Sequence, residues 1–174
     1  IIDEVDAFPY SGDECLENGA KTSLKNNGVF VFLSATPSNK IKASVDEVIK
    51  IPIRYHRYLL SVPKIKIEKT EVFDFTKKSK FIEKFIKERL ARDRRILIFV
   101  PEIGMCETTV LYLNKSLADD IIIDFVYSED ENRSEKIRAY YDRKIDILVT
   151  TTILERGVTF DYLDVIIFDA KHIN

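Results

Sequence analysis

The sequence predicts an α/β fold with mostly parallel sheets. Short, continuous apolar runs rich in Val, Ile and Phe recur along the 174 residues, which is typical of strands covered on both faces. Amphipathic stretches with helical spacing lie between the later runs, and alternation of strands and helices indicates parallel pairing. The predicted strands are residues 1–2, 29–33, 48–51, 96–100, 121–127, 145–149 and 165–168.

Three helices are predicted between the later strands. The first lies in residues 79–93, where apolar side chains recur on one stripe while Lys and Arg occupy the remaining surface. That stripe consists of Phe81, Ile82, Phe85, Ile86 and Leu90. Residues 104–118 and 131–143 are the other two predicted helices, the latter with Tyr140 and Tyr141 facing inward.

Composition limits the class of protein. No apolar run approaches the roughly 18 residues of a membrane-spanning helix, and nothing resembles a signal peptide, so we expect a cytoplasmic protein. Cys15 and Cys106 are far apart in sequence and are expected to be free thiols. His56 and His172 each stand alone, which argues against a zinc site in this stretch.

Charge is distributed unevenly along the chain. Residues 50–95, the basic segment, carry 15 basic and 6 acidic side chains and a net charge of +9, whereas both flanking segments are acidic. One interpretation is a solvated connector followed by a charged helix face. The other is an electrostatic track for a polyanion. The sequence leaves both open.

An acidic motif follows the first predicted strand. Asp3, Glu4 and Asp6 come directly after Ile1 and Ile2. Unpaired carboxylates are costly to bury, and ligands bind at the carboxyl ends of strands in open α/β sheets. The acidic motif therefore predicts a functional edge of a sheet, with a short acidic turn of no function as the alternative.

A second polar motif, formed by Ser34, Ala35 and Thr36, follows the strand predicted at 29–33. If both strands belong to one parallel sheet, the hydroxyls of this Ser-Ala-Thr motif lie close to the acidic motif. The alternative is that Ser-Ala-Thr-Pro caps the helix that follows it.

A threonine motif begins where the strand at 145–149 ends. It consists of three threonines and, after an apolar pair, a glutamate, an arginine and a glycine: Thr150, Thr151, Thr152, Glu155, Arg156 and Gly157. Threonine hydroxyls can hold a sugar-phosphate backbone without reading bases, a guanidinium suits phosphate, and glycine permits a tight turn. An ordinary loop with a Glu–Arg surface pair is the alternative.

The order of the three motifs resembles that of superfamily-2 helicases, in which two lobes clamp ATP and pass nucleic acid across their tops. The resemblance implies a RecA-like (P-loop NTPase) α/β fold with three-layer parallel sheets in two helicase lobes, the first incomplete. It implies that Asp3 holds Mg²⁺ through water and that Glu4 is the general base. The threonine motif would face nucleic acid or the inter-lobe cleft. Four residues would couple the nucleotide state to lobe closure: Asp6, Ser34, Ala35 and Thr36.

Longer stretches are similar to the ComFA late-competence family, the ATP-driven motor of DNA uptake in transformable Gram-positive bacteria. They are DEVDAFPYSGD, LSATP, RYHRYLLSVP and TTTILERGVTF, and the resemblance runs along the whole chain. It implies ATP and Mg²⁺ as cofactors, with DNA, single-stranded during uptake, and the competence machinery as partners. It also implies a place in the cytoplasm or at the inner face of the membrane.

The same resemblance implies that the chain is part of a longer protein. The family's phosphate loop and arginine-finger motif have no counterpart here, so the 174 residues alone are not expected to turn over ATP. Zinc is expected only in a missing N-terminal element. The expected division is residues 1–55 as the back part of the first lobe, 56–72 as a linker and 73–174 as the second lobe, lacking its C-terminal end. The alternatives are another superfamily-2 DNA motor, of a primosome or of recombination, and a non-catalytic nucleic-acid scaffold.

Overall fold

The chain is seen in a computed structural model as two compact units, Ile1–Lys64 and Ile65–Asn174. The structure describes residues 1–7, 10–53, 55, 57, 62–66, 79–154 and 160–170. No helix in these ranges is long and apolar enough to cross a membrane. Cys15 is exposed and Cys106 is buried, and both are free thiols.

The first unit holds two capped helices. Helix α1 (Glu14–Thr22) begins after Asp13, whose carboxylate accepts hydrogen bonds from two first-turn amides at 2.8 and 3.0 Å. Helix α2 (Asn39–Ala43) begins after Ser38, whose hydroxyl accepts a first-turn amide at 3.3 Å. Side-chain oxygens at these positions bind amides that have no partner within the helix.

A parallel β-bridge between Ile2 and Phe32 joins the start of the first unit to a later segment. The Ile2 amide donates to the Val31 carbonyl at 2.8 Å, and the Leu33 amide donates to the Ile2 carbonyl at 2.9 Å. The two strands predicted here are thus present as one bridge instead of a ladder. Such short pairs are marginal without further neighbouring strands.

The prediction of a strand at 48–51 is wrong. These residues form no strand, and the side chains of Val48, Ile49 and Ile51 are exposed. A run of β-branched residues forms a strand only where a neighbour supplies hydrogen bonds and packing, and this segment pairs with no other described residue.

The second unit is a four-stranded parallel sheet with helices on both faces. Its helices are α3 (Lys80–Leu90), α4 (Ile103–Ser116) and α5 (Arg133–Tyr141), and its strands are β1 (Arg95–Phe99), β2 (Ile123–Val126), β3 (Ile147–Thr150) and β4 (Leu163–Ile167). The strands lie in the order β2-β3-β1-β4. The predicted α/β fold with a parallel sheet is confirmed, and the elements of this unit differ from the prediction only by a few residues at their ends.

The two faces of the sheet have separate cores. Helices α3 and α4 cover one face, where Ile98 and Ile147 are fully buried. Helix α5 covers the other face, where the ring of Tyr140 packs with Leu97 and Leu148. Continuous apolar runs in β1 and β3 follow from this arrangement, because alternate side chains of each strand enter different cores.

Two aromatic side chains predicted to face inward do not. Phe81 is 51% exposed and Tyr141 is 65% exposed, whereas Ile82 and Tyr140 beside them are buried. Successive residues of a helix point about 100° apart, so a neighbour of a buried residue turns away from the core.

Candidate functional site

In the first unit, two parallel segments lie side by side. The acidic motif follows one of them and the Ser-Ala-Thr motif follows the other. The segments are joined at Ile2 and Phe32, and the contact continues where the Val5 amide donates to the Leu33 carbonyl at 3.3 Å. Because the segments are parallel, both motifs emerge at the same edge. The structure thus brings together residues that are about thirty positions apart in sequence.

A side-chain hydrogen bond links the two motifs. The Thr36 hydroxyl donates to Asp6 Oδ2 at 2.6 Å. The Ser34 hydroxyl accepts the Thr36 amide at 3.0 Å, a local turn that fixes the backbone from which the Thr36 side chain extends. The following helix is capped by Ser38, so the alternative in which Ser-Ala-Thr-Pro caps that helix is wrong.

Glu4 has a backbone conformation that the sequence does not reveal. Its φ is +52°, in the left-handed region, which costs a non-glycine residue roughly 1–2 kcal/mol. Its amide donates to Asp3 Oδ1 at 2.9 Å, and both carboxylates are exposed. Five other described non-glycine residues also have a positive φ, so this conformation by itself does not mark a functional site. Exposed carboxylate oxygens are ligands that Mg²⁺ prefers, so the donor chemistry fits that ion.

In the second unit, the strand order creates a topological switch point between β1 and β3. The connection after β1 passes through α4 to β2 on one side, whereas the connection after β3 leads to β4 on the other side. Ligands of open α/β sheets bind outside the carboxyl ends of strands at such a point. Here Phe99 lies beside Thr150, and the Val100 amide donates to the Thr150 carbonyl at 2.9 Å.

The threonine motif starts at this switch point. Thr150 is fully buried, and its hydroxyl has no hydrogen-bond partner among the described residues. Thr151 is half-buried, and Thr152, which opens a 3₁₀ turn (Thr152–Leu154), is exposed. In this conformation a ligand at the edge can reach Thr151 and Thr152 but not the Thr150 hydroxyl. The remaining motif residues lie outside the described part of the chain: Glu155, Arg156 and Gly157.

Comparison with known proteins shows to which family the second unit corresponds. The family model described as the helicase conserved C-terminal domain matches residues 77–172. The chain belongs to this family. The four-stranded parallel sheet with helices on both faces is the RecA-like fold of a helicase C-terminal domain, as the motif order predicts.

Two relatives match nearly the whole chain. The competence protein ComFA of Streptococcus pneumoniae (strain ATCC BAA-255 / R6) is 35% identical over 178 residues, which cover 99% of this chain and 41% of that protein. The competence protein ComFA of Bacillus subtilis (strain 168) is 34% identical over 171 residues, covering 91% and 35%. The predicted resemblance to ComFA is confirmed, and the chain is superfamily-2 helicase-like. It spans about two fifths or less of the length of these curated relatives.

Some side chains of the basic segment make contacts inside the helicase C-terminal domain. Arg94 pairs with Asp164 and donates to the Leu163 carbonyl at 2.7 Å, and Arg95 is buried. The buried guanidinium of Arg95 therefore cannot belong to a surface track for a polyanion, and the half-buried guanidinium of Arg94 is already paired within the domain. Three lysines of α3 remain exposed: Lys80, Lys84 and Lys87.

Lys136 is a residue of this domain that the sequence analysis missed. Its ammonium donates to the Phe125 carbonyl at the end of β2 (3.0 Å) and to Asp130 Oδ2 (2.9 Å), and it lies 3.5 Å from Asp124 Oδ1. It thus holds the loop after β2, at the same edge as the threonine motif. Burial alone would lower the pKa of Lys136, but the hydrogen bond and charge of the two carboxylates raise it. Only the closely spaced acids in the sequence hint at this contact.

Replacing Lys136 with methionine should raise the pKa of Asp130. Burial alone would raise that pKa, but the hydrogen bond and charge of Lys136 and the Asn132 amide now hold it below the ordinary 3.8. The ion pair therefore adds stability above about pH 4, which is lost as the pH falls through the lowered pKa. It is also lost as the pH rises beyond 10.5 through the raised pKa of Lys136.

At pH 7 the free energy of unfolding should fall by about 1–2 kcal/mol in this variant, and the loss should shrink below pH 4. NMR titration of the Asp130 carboxyl and chemical denaturation across pH measure both effects. Lys115→Met is the matched control on α4, since no described carboxylate pairs with that lysine. An unchanged Asp130 pKa in the Lys136 variant would contradict the assignment.

Proposed function

We propose that this chain is part of a Mg²⁺-ATP-driven translocase that moves single-stranded DNA during natural transformation. The proposal rests on the helicase C-terminal domain, on the two ComFA relatives and on the acidic motif beside the Ser-Ala-Thr motif. Glu4 would act as general base towards the attacking water, and Asp3 would hold Mg²⁺ through water. Bound Mg²⁺ would neutralise charge on the phosphates.

The Thr36–Asp6 hydrogen bond is the observation that carries this proposal. It couples the segment that ends in the acidic motif to the segment that ends in the Ser-Ala-Thr motif. A displacement of Asp6 when nucleotide binds or leaves next to Glu4 would therefore be felt at Thr36. A non-catalytic scaffold has no need of a general base beside Asp3.

We propose that the threonine motif contacts the nucleic-acid backbone. The topological switch point between β1 and β3 supports this assignment, because Thr151 and Thr152 follow β3 at the edge where such sheets bind ligands. Hydroxyls there can hold a phosphate without reading a base. Arg156 would add a cation, and Glu155 and Gly157 would shape the loop.

We further propose the division into residues 1–55 as part of a first lobe, 56–72 as a linker and 73–174 as part of a second lobe. The two compact units support a boundary in this region, although most of the proposed linker lies outside the described residues. The remaining partners would be the competence machinery, at the cytoplasmic face of the membrane.

Removing the hydroxyls of Ser34 and Thr36 together should uncouple the motor. In the full-length protein, Ser34→Ala with Thr36→Ala should leave ATP hydrolysis at least partly intact while translocation falls further. The physical reason is that these hydroxyls hold Asp6 and the local turn but do not touch the proposed base. Measuring the rates of ATP hydrolysis and of single-stranded DNA translocation on the same protein gives the ratio of translocation to hydrolysis.

Two variants serve as controls for this experiment. Ser38→Ala removes the cap of α2, which costs about 1 kcal/mol of stability but leaves the Asp6 contact in place, so the ratio should not change. Thr36→Ser keeps a hydroxyl and should restore coupling. An equal loss of hydrolysis and translocation would instead give this stretch a plain folding role.

A further inference from the structure

Arg95, at the start of β1, is a buried arginine that no carboxylate pairs with in the described part of the chain. Its guanidinium donates to three carbonyls, those of Tyr140, of Tyr141 at 3.2 Å and of Asp161 at 3.0 Å. Two of them belong to the last turn of α5, where the helix dipole favours a cation. Burying a charge costs desolvation free energy, whereas an apolar side chain of similar volume would fill a core without that cost. The carbonyl contacts therefore suggest a role beyond packing.

The two flanks of the segment that carries the threonine motif pack around Tyr140, and the later flank also contacts the Arg95 guanidinium. Leu154 is buried in the same core cluster as Tyr140. Phe160 meets the Tyr140 ring edge-on, with 5.0 Å between centroids. Arg95 Cζ lies 5.2 Å from the Tyr140 centroid and 5.6 Å from the Phe160 centroid. We call Arg95, Tyr140, Phe160 and Asp161 the arginine anchor.

The arginine anchor holds the described ends of two connections together at the amino edge of the sheet. Helix α5 begins after the loop that Lys136 holds at the carboxyl edge and ends at Arg95 on the amino edge. The segment after β3 begins at Thr151 on the carboxyl edge and returns to Arg95 at Asp161. We propose that Arg95 is a positioning residue that fixes this return, so that α5 and the threonine motif hold one geometry at the nucleic-acid edge. This role for DNA rests on the proposed function, whereas the anchoring itself does not.

Hydrogen exchange in the full-length protein tests the anchoring without DNA. In Arg95→Lys, amides of residues 160–162 and of the last turn of α5 should exchange roughly tenfold faster, in line with the loss of a hydrogen bond. Lysine keeps the charge but lacks the planar guanidinium, whose two NH2 groups bind carbonyls of α5 and of Asp161. Amides of β3 should be unchanged. Phe160→Ala, at a half-buried position, should give the same pattern and carries the test if the Arg95 variant does not fold.

Arg94→Lys is the matched control, since its neighbouring guanidinium binds Asp164 and the Leu163 carbonyl on β4 instead of the arginine anchor. It should leave the last turn of α5 protected. Tyr140→Phe should also be silent, because the Tyr140 hydroxyl has no partner among the described residues. Acceleration spread evenly over the sheet in Arg95→Lys, or the same pattern in Arg94→Lys, would reduce Arg95 to a residue of general stability and overturn the proposal.

A double-mutant cycle tests the link to DNA, with a single-stranded oligothymidylate as probe. Arg95→Lys should weaken binding several-fold in the wild-type background and much less in an Arg156→Ala background, since both changes act on the same segment. Equal losses in both backgrounds would overturn the positioning role. If the unmodified protein does not bind the probe, the proposed function fails, while the exchange experiment still decides the anchoring.

Discussion

Glu4→Gln in the full-length protein should lower the rate of ATP hydrolysis about 10²–10⁴-fold, the usual cost of losing a positioned general base. Glutamine has nearly the size of glutamate but cannot take a proton from the attacking water. Nucleotide binding should therefore be largely retained. Steady-state hydrolysis with saturating Mg²⁺-ATP and single-stranded DNA, together with binding of a fluorescent nucleotide, measures the two effects separately.

Three comparison variants isolate the carboxylate from the backbone. Glu4→Gly suits the φ of +52° and should be at least as stable as the wild type, yet as inactive as Glu4→Gln. Asp3→Ala should also weaken binding of Mg²⁺-nucleotide. Glu14→Gln makes the same chemical change at an exposed position of α1 and should have no effect on the rate. Normal turnover by Glu4→Gln would make the acidic motif structural and favour the scaffold.

Arg156→Ala in the full-length protein should weaken binding to single-stranded DNA about 10- to 100-fold at low salt, the loss of one charge-assisted hydrogen bond. The weakening should be equal for all sequences, because phosphate contacts carry no base identity. Affinity should follow salt with a log–log slope of roughly −0.7 per neutralised phosphate, and the variant's slope should be shallower by a fraction of a unit. Fluorescence anisotropy over a salt series measures both.

The control for Arg156 is an arginine at the opposite edge of the same sheet. Arg143 is partly exposed and pairs with Asp93 at 2.7 Å before β3, so Arg143→Ala should leave affinity and slope unchanged. Neutralising four lysines of the basic segment together tests the electrostatic track: Lys77, Lys78, Lys80 and Lys84. If Arg156→Ala changes neither quantity, the threonine motif does not contact DNA.

The sheet of the second unit could be predicted because each apolar run there has both a strand to pair with and a core to enter. The run at 48–51 has the same composition, yet nothing in a single sequence says whether a neighbouring strand exists. Likewise Ser34 and Ser38 are equally suited to cap a helix. The structure separates their roles, because the Ser38 hydroxyl accepts the first-turn Ile41 amide whereas the Ser34 hydroxyl accepts the Thr36 amide.

The structural roles of charged residues could not be predicted from the sequence. Arg95 and Lys136 look like ordinary members of charged stretches, because the carbonyls they bind carry no signature in a side-chain pattern. The same is true of Glu4, whose residue type points to chemistry but whose backbone conformation is set by the surrounding chain.

The strand order also determines when this domain can fold. Among the described residues, β1 pairs with β3 and β4 and β2 pairs with β3, so neither early strand has a partner until β3 is available. During synthesis, β1 and β2 therefore remain unpaired until residues 147–150 have left the ribosome. Pairing over such sequence distances is slow, and the waiting strands are open to association with other chains. The strand β3 is thus the first partner in the chain with which either early strand can pair.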